Sequence, residues 1–311
     1  MDKRKSSGIS RLFQTDQLLC YDTRGLPIDC SGTGQDGETR GGKPWPKPRF
    51  IQAENTITDR MTGLCWLQNA TPYEFPLSWP EAFEFIDEMN QNNQYGKSDW
   101  RLPRRDELYS LVSHARINPA IAGAAQFSNV FNGYYWSATP CVRHTDQAWC
   151  VELGGGRMVK GMTHRGCMVW PVRGRRADYG HPDERFEILD HGILDRKTGL
   201  SWMVRGDLSQ GFVTWSDALA LIDKINRQNH LGYDNWRLPN IRELSSLVDD
   251  TRHTPAMALP ADLESINLFY WSATTSVYNP SYAWTLYTRD GYIGVGYKPN
   301  PEFSVWPVRT S

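Results

Sequence analysis

The stretch Asp234-Asn235-Trp236-Arg237-Leu238-Pro239-Asn240-Ile241-Arg242-Glu243-Leu244 has a near copy in Ser98-Asp99-Trp100-Arg101-Leu102-Pro103-Arg104-Arg105-Asp106-Glu107-Leu108. Trp236 follows Trp100 by 136 residues (236 − 100), and nearly the same offset recurs through the flanking sequence, which marks a duplicated domain. Within each copy the proline sets a helix start. Asn240 is placed to cap that helix with Glu243 as its capping-box partner, and Leu244 and Leu247 face inward. Arg104 stands where Asn240 does, so the first cap is the weaker one.

Upstream of this element, Thr56-Ile57-Thr58-Asp59, Arg60-Met61-Thr62-Gly63 and Leu64-Cys65-Trp66-Leu67 read as strand, turn and strand. Gly192 to Met203 repeats the pattern with every turn-determining residue kept. Trp79, Ala82, Phe83, Ile86 and Met89 then lie at helical spacing, matched by Trp215, Ala218, Leu219, Ile222 and Ile225. Downstream, periodicity is lost from Ser113 to Gly133 and from Asp249 to Asn267, which reads as a long loop. The last third of each copy is strand-like: Tyr134–Thr139, Ala148–Leu153 and Cys167–Arg173, then Phe269–Thr274, Ala283–Tyr287 and Ser304–Arg309. Each domain is therefore α+β, with two helices, a long loop and a small antiparallel sheet. The expected division is an irregular strap (1–54), a first domain (55–173), a charged Gly/Pro linker (174–190) and a second domain (191–311). Trp45, outside the repeats, implies that part of the strap packs on one of them.

Balanced charge, 34 basic against 35 acidic residues, gives no overall pull toward nucleic acid or an anionic membrane surface. No run of eighteen apolar residues exists to span a bilayer, and Met1-Asp2-Lys3-Arg4-Lys5-Ser6-Ser7 lacks the apolar segment of a secretory signal behind it. The six cysteines fall in the first 170 residues without zinc-site spacing, so no metal is expected. Cys20 and Cys30 bracket a polar, turn-rich loop that a disulfide would stabilise by roughly 2 to 4 kcal/mol.

Asp-x-x-Thr-Gly-Leu-x-Trp, Trp-Arg-Leu-Pro-x-x-x-Glu-Leu, Tyr-Trp-Ser-Ala-Thr and Val-Trp-Pro-Val-Arg, in that order and largely kept in both copies, resemble the Lcl C-terminal domain family of bacteria. The resemblance implies two tandem C-type-lectin-like domains, a module common on secreted or surface proteins and in some cases on polysaccharide-binding adhesins. The broad fold is similar to that of formylglycine-generating enzymes and of variable receptor-binding proteins, but fold kinship does not carry function. Localisation is expected to be extracellular or at the cell surface, with a phage particle or the cytoplasm as alternatives in view of the missing signal.

Each repeat carries six tryptophans in register: Trp66, Trp79, Trp100, Trp136, Trp149 and Trp170 against Trp202, Trp215, Trp236, Trp271, Trp284 and Trp306. A sugar-stacking platform is one reading. Burying an indole is worth roughly 4 to 6 kcal/mol, however, so a core role is expected. Arg101, Arg237, Arg173, Arg309, Glu107 and Glu243 are read as ion-pair, carbonyl-contact or helix-start residues. The acidic and amide motifs of a calcium-dependent sugar site are missing, and Asn279-Pro280-Ser281 and Asn300-Pro301-Glu302 supply too few oxygens for a calcium cage. Cys150 and Cys167 are the nearest match to a reactive thiol pair, but Thr285 and Phe303 replace them in the second copy. A buried thiol pair or structural disulfide is the expectation, with no catalytic residue and no cofactor.

The copies part company from Thr139 to Arg165, with Arg143, His144, Asp146, Arg157, Lys160, His164 and Arg165, and from Thr274 to Asn300, with Tyr278, Asn279, Tyr282, Tyr287, Tyr292, Tyr297 and Lys298. One scaffold presenting two different surfaces suits a non-enzymatic recognition protein that binds a glycan or surface protein through these residues. The alternatives are a self-associating structural subunit of a fibre or surface layer, and a formylglycine-generating-type thiol oxidase.

Overall fold

The computed structural model describes residues 11–174, 185–190, 192–257, 259, 263 and 265–310. It divides into two compact units, one of Trp45–Asp178 and one that joins Met1–Pro44 to Tyr179–Ser311. The strap thus splits, and most of it belongs with the second repeat. Of the segment read as a linker, 175–184 lies outside the described residues.

In the unit of the first repeat, Phe50–Ala53, Thr56–Asp59, Cys65–Leu67 and Val172–Arg173 form a four-stranded antiparallel sheet in that order. Tyr134–Pro140, Gln147–Glu152 and Arg157–Met162 form a second antiparallel set. The other unit repeats both, with Phe186–Leu189, Gly192–Asp195, Leu200–Trp202 and Val308–Thr310, and with Phe269–Thr275, Tyr282–Tyr287 and Tyr292–Tyr297. Each repeat places a long helix (Trp79–Gln91, Trp215–Arg227) and a short one (Arg105–Ser110, Ile241–Ser245) between its hairpin and its later strands.

Local chemistry fixes these elements. Ser78 and Glu81 form a reciprocal capping box at the long helix of the first repeat, and Asp217 N–H donates to Thr214 Oγ1 at 3.1 Å in the second. The helix of the first repeat buries Ala82, Ile86 and Met89 against Trp136, Leu67 and Val169. Gly161 and Gly296 lie on the third strands where a Cβ would stand 2.7 Å from the Trp136 ring and 2.3 Å from the Phe303 ring, so only glycine admits those aromatics. Eleven of the twelve repeat tryptophans are buried; Trp79 is partly exposed. The core reading of these indoles follows directly.

The Trp-Arg-Leu-Pro element braces each repeat. Asn90 clamps the Trp100 backbone at both N–H and C=O (2.8 Å each), as Asn226 clamps Trp236. Arg101 exchanges backbone hydrogen bonds with Val172, and Ala138 N–H donates to the Pro103 carbonyl at 2.7 Å. The Arg101 guanidinium forks onto Glu107 at 2.7 and 2.8 Å, and Glu107 also accepts from the Arg104 N–H at 2.8 Å. Asn240 adds its own cap to Glu243 N–H at 3.0 Å, which Arg104 cannot do with its side chain.

Two features depart from the sequence expectation. A strand precedes each opening hairpin, Phe50–Ala53 and Phe186–Leu189, outside the expected repeat boundaries and, in the second case, inside the expected linker. Each is anchored by the arginine before it. Arg49 donates to both Asp59 carboxylate oxygens (3.0 and 2.8 Å) and to the Ser110 carbonyl (2.8 Å), and Arg185 does the same with Asp195 and Ser246. The third strand of each later set is not Cys167–Arg173 or Ser304–Arg309 but Arg157–Met162 and Tyr292–Tyr297, from the divergent segments. Cys167, Met168, Val169 and Trp170 are all buried in succession and Pro171 lacks an N–H, so that segment threads the core through single bridges and joins a ladder only at Val172.

Replacing Arg49 with Met leaves Asp59 buried without its cation, and urea unfolding followed by tryptophan fluorescence is expected to show a loss of about 3 to 5 kcal/mol. Arg173→Met breaks a pair whose Asp99 side chain is 56% exposed, and is expected to cost less than about 1 kcal/mol.

Candidate functional site

The sheet geometry sorts the divergent residues by end. Tyr282 pairs with Tyr297 and Tyr287 with Tyr292 across neighbouring strands, with ring centroids 5.2 and 5.3 Å apart. Five residues separate Tyr282 from Tyr287, so the two pairs lie on opposite faces as well as opposite ends of the strands. Tyr287 packs against Phe269 and Phe303, and burial raises its pKa. Tyr282 and Tyr297 instead share their end with Tyr278 and Asn279 in the preceding turn, where Tyr278 is 65% exposed.

The first repeat gathers residues at the same end. Arg143, His144 and Asp146 occupy the turn before Gln147–Glu152, and Thr163 N–H donates to the Asp146 carbonyl at 2.9 Å, which brings His164 and Arg165 beside them. Arg157 and Lys160 stand apart: Arg157 pairs with Glu152 at 3.4 Å at the far end, and the Lys160 ammonium lies 5.3 Å over the Trp149 ring. Of the cysteines, Cys20 and Cys30 are bonded (S–S 2.06 Å). Cys150 and Cys167 do come together, but as free thiols with sulfurs 3.5 Å apart and not as a disulfide, and mutual contact and burial push the Cys150 pKa up. Such a thiol is a poor nucleophile. Among the described residues no group of three His, Cys, Asp or Glu side chains is placed to hold a metal ion, and no helix is long and apolar enough to cross a membrane.

The strap supplies what sequence reasoning missed. It runs over the second repeat, where Gln17 exchanges two hydrogen bonds with the Thr275 backbone (2.8 and 2.9 Å) and Asn240 donates to the Gly41 carbonyl at 3.0 Å. Asp36 is buried, its Oδ2 accepting from the Thr15 and Thr274 hydroxyls at 2.6 Å each, while its Oδ1 has no partner among the described residues. Burial raises its pKa to about 6, against the lowering effect of the two hydroxyls. Lys298 is also fully buried under the strap. Its ammonium sits 4.1 Å from the Trp215 ring and donates to the Tyr21 and Asp22 carbonyls at 3.4 and 3.3 Å. Burial lowers its pKa to about 7, partly offset by Asp22. The disulfide loop continues onto Pro280–Ser281, where a Cβ on Gly25 would stand 2.9 Å from the Ser281 nitrogen, so the loop borders the end that presents Tyr278 and Asn279. An aspartate in a Gly-rich lead-in carries no sequence signal of burial. Lys298, which the sequence groups with the divergent surface residues, is instead fully buried, at the position where the first copy has Thr163.

Strap docking should therefore depend on pH from both sides. Asp36 has its folded pKa raised from 3.8, so its contribution is present below that value and lost as pH rises through about 6. Lys298 has its folded pKa lowered from 10.5, so its contribution is present above that value and lost as pH falls through about 7. Both groups oppose docking most between those folded pKa values. Relative to Asp36→Asn, the wild-type chain is expected to gain up to about 3 kcal/mol as pH falls from 7 to 4, read from thermal unfolding or hydrogen exchange of the strap. Relative to Lys298→Met, it is expected to gain as pH rises from 7 to 9.

No curated relative matches the sequence. The model of the Lcl C-terminal domain matches residues 55–173 and again 191–309, and the chain therefore belongs to the Lcl C-terminal domain family, with two tandem copies.

Proposed function

We propose that the protein is a non-enzymatic recognition protein of the extracellular space or cell surface, built on two C-type-lectin-like domains and binding a glycan or surface protein. The observation that carries this reading is the sorting by end. Framework residues of the two repeats match, while the residues gathered at the equivalent ends do not: Arg143, His144, Asp146, His164 and Arg165 on one repeat, Tyr278, Asn279, Tyr282 and Tyr297 on the other. A braced sheet holds those residues in place, and held groups bind at a lower ordering cost. The tyrosine end offers flat rings with amide and hydroxyl neighbours, a combination that stacks on sugar C–H faces and meets sugar hydroxyls. The first-repeat end offers cations for anionic substituents.

The purified chain is expected to bind a defined subset of a glycan array or a surface-protein panel. Tyr278→Ala and Tyr297→Ala should each weaken that binding by roughly tenfold or more without moving the thermal midpoint. Binding that survives both substitutions unchanged removes these residues from the site, and a blank array and panel removes the reading.

A further inference from the structure

The two repeats differ in one respect that their motifs do not show: the second carries a strap, and among the described residues none covers the equivalent surface of the first. Thr198 and Thr275 of the second repeat are fully buried, whereas their counterparts Thr62 and Pro140 are exposed. Trp215 is 2% exposed where Trp79 is partly open. Leu219 lies 3.6 Å from the position a Cβ would take on Gly34 of the strap, and its counterpart Phe83 is 36% exposed.

The polar groups that hold the strap are also present on the first repeat. Thr274 Oγ1 accepts from the Ile241 N–H at 3.0 Å and spends its own proton on Asp36. Thr139 Oγ1 accepts from the Arg105 N–H at 3.1 Å in the same way, is 5% exposed, and has no acceptor for its proton among the described residues. Gly41 passes so close to the Arg237–Glu243 pair that a Cβ would stand 3.0 Å from both, and the matching Arg101–Glu107 pair leaves the Arg101 side chain 33% exposed. The matching side chains also carry the same formal charge, Arg237 and Arg242 against Glu243 around the strap and Arg101, Arg104 and Arg105 against Asp106 and Glu107 on the first repeat.

We propose that this surface of the first repeat, from Phe83 and Trp79 to Thr139, Arg101 and Arg104, docks an extended strap-like segment of another protein, with an Asp or Glu carboxyl group on Thr139 and a glycine over the Arg101–Glu107 pair. The site lies apart from the Arg143–Asp146 and His164–Arg165 cluster and does not depend on the recognition reading above. Its mode differs from the strap's at one point: Pro140 has no N–H to match that of Thr275, so one of the two edge hydrogen bonds made by Gln17 is lost and the carboxyl and aromatic contacts carry more of the binding.

The test uses the full chain, whose own strap already fills the second repeat, and a synthetic peptide of residues 11–44 closed by its Cys20–Cys30 bond as the probe. Calorimetry is expected to show one peptide bound per chain. Arg104→Glu and Phe83→Asp, both at exposed or half-exposed positions, should each weaken binding by roughly tenfold, and Asp36→Asn in the peptide should abolish the strengthening that the wild-type peptide shows as pH falls from 7 to 5. Thr139→Val should also weaken it, and an unchanged thermal midpoint for Arg104→Glu and Phe83→Asp separates lost contacts from lost folding. Binding abolished by Thr274→Val but indifferent to Arg104→Glu means exchange with the resident strap and overturns the proposal, as does no binding at all.

Discussion

The Arg–Glu pair inside each Trp-Arg-Leu-Pro element is the interaction on which the rest of each repeat hangs. Glu243 is fully buried, Arg237 is nearly so, and the two are joined by two hydrogen bonds at 2.5 and 2.6 Å. Burial by itself lowers the guanidinium pKa; the carboxylates of Glu243 and Asp36 more than reverse that and hold it up. Because the same carboxylate accepts from the Asn240 N–H at the cap of the short helix, the pair ties the segment bridged to Val308 to a helix start, and the proline between them sets the direction of departure. Losing either partner would strand the other in a low-dielectric interior, which is why the element tolerates so little change between copies.

A second buried pair, Arg49–Asp59 and its twin Arg185–Asp195, ties the strand before the hairpin to the hairpin turn and to a carbonyl at the end of the short helix. Together the two pairs leave each short helix fixed at its start and its end. The strands that follow can then vary in their solvent-facing residues without disturbing the frame. The divergence of Arg157–Met162 from Tyr292–Tyr297 on one unbroken pattern of pairing reflects this.

Much of the scaffold was legible from residue spacing because its determinants are local: a turn aspartate followed by glycine, a capping box, apolar residues every three or four positions. The strand at Phe50 was not, since its anchor is a side chain reaching ten residues on, although Arg49-Phe50 and Arg185-Phe186 do share the 136-residue offset. The third strands hid for a different reason. Their polar and glycine residues follow the needs of the Trp136 and Trp271 rings packed across them, a demand visible only once those rings are placed. Of the divergent residues, the tyrosines were identified by type but not by arrangement, because which end a residue occupies depends on strand register, and register is set by the turns. Asp36 and its hydroxyl partners were out of reach altogether: Thr274 lies 238 residues away.

The strap precedes the first repeat in sequence yet packs with the second. The two units are consequently linked twice, once by covalent chain between the repeats and once by a segment that leaves one unit at Pro44 and is anchored on the other. A protease that cuts between the repeats opens a ring without parting its halves, because the buried contacts of Asp36, Gln17 and the chain beneath Tyr21 remain as a clasp. The tether also acts as an intramolecular ligand at high effective concentration, so any external segment seeking the second repeat competes with one that never diffuses away.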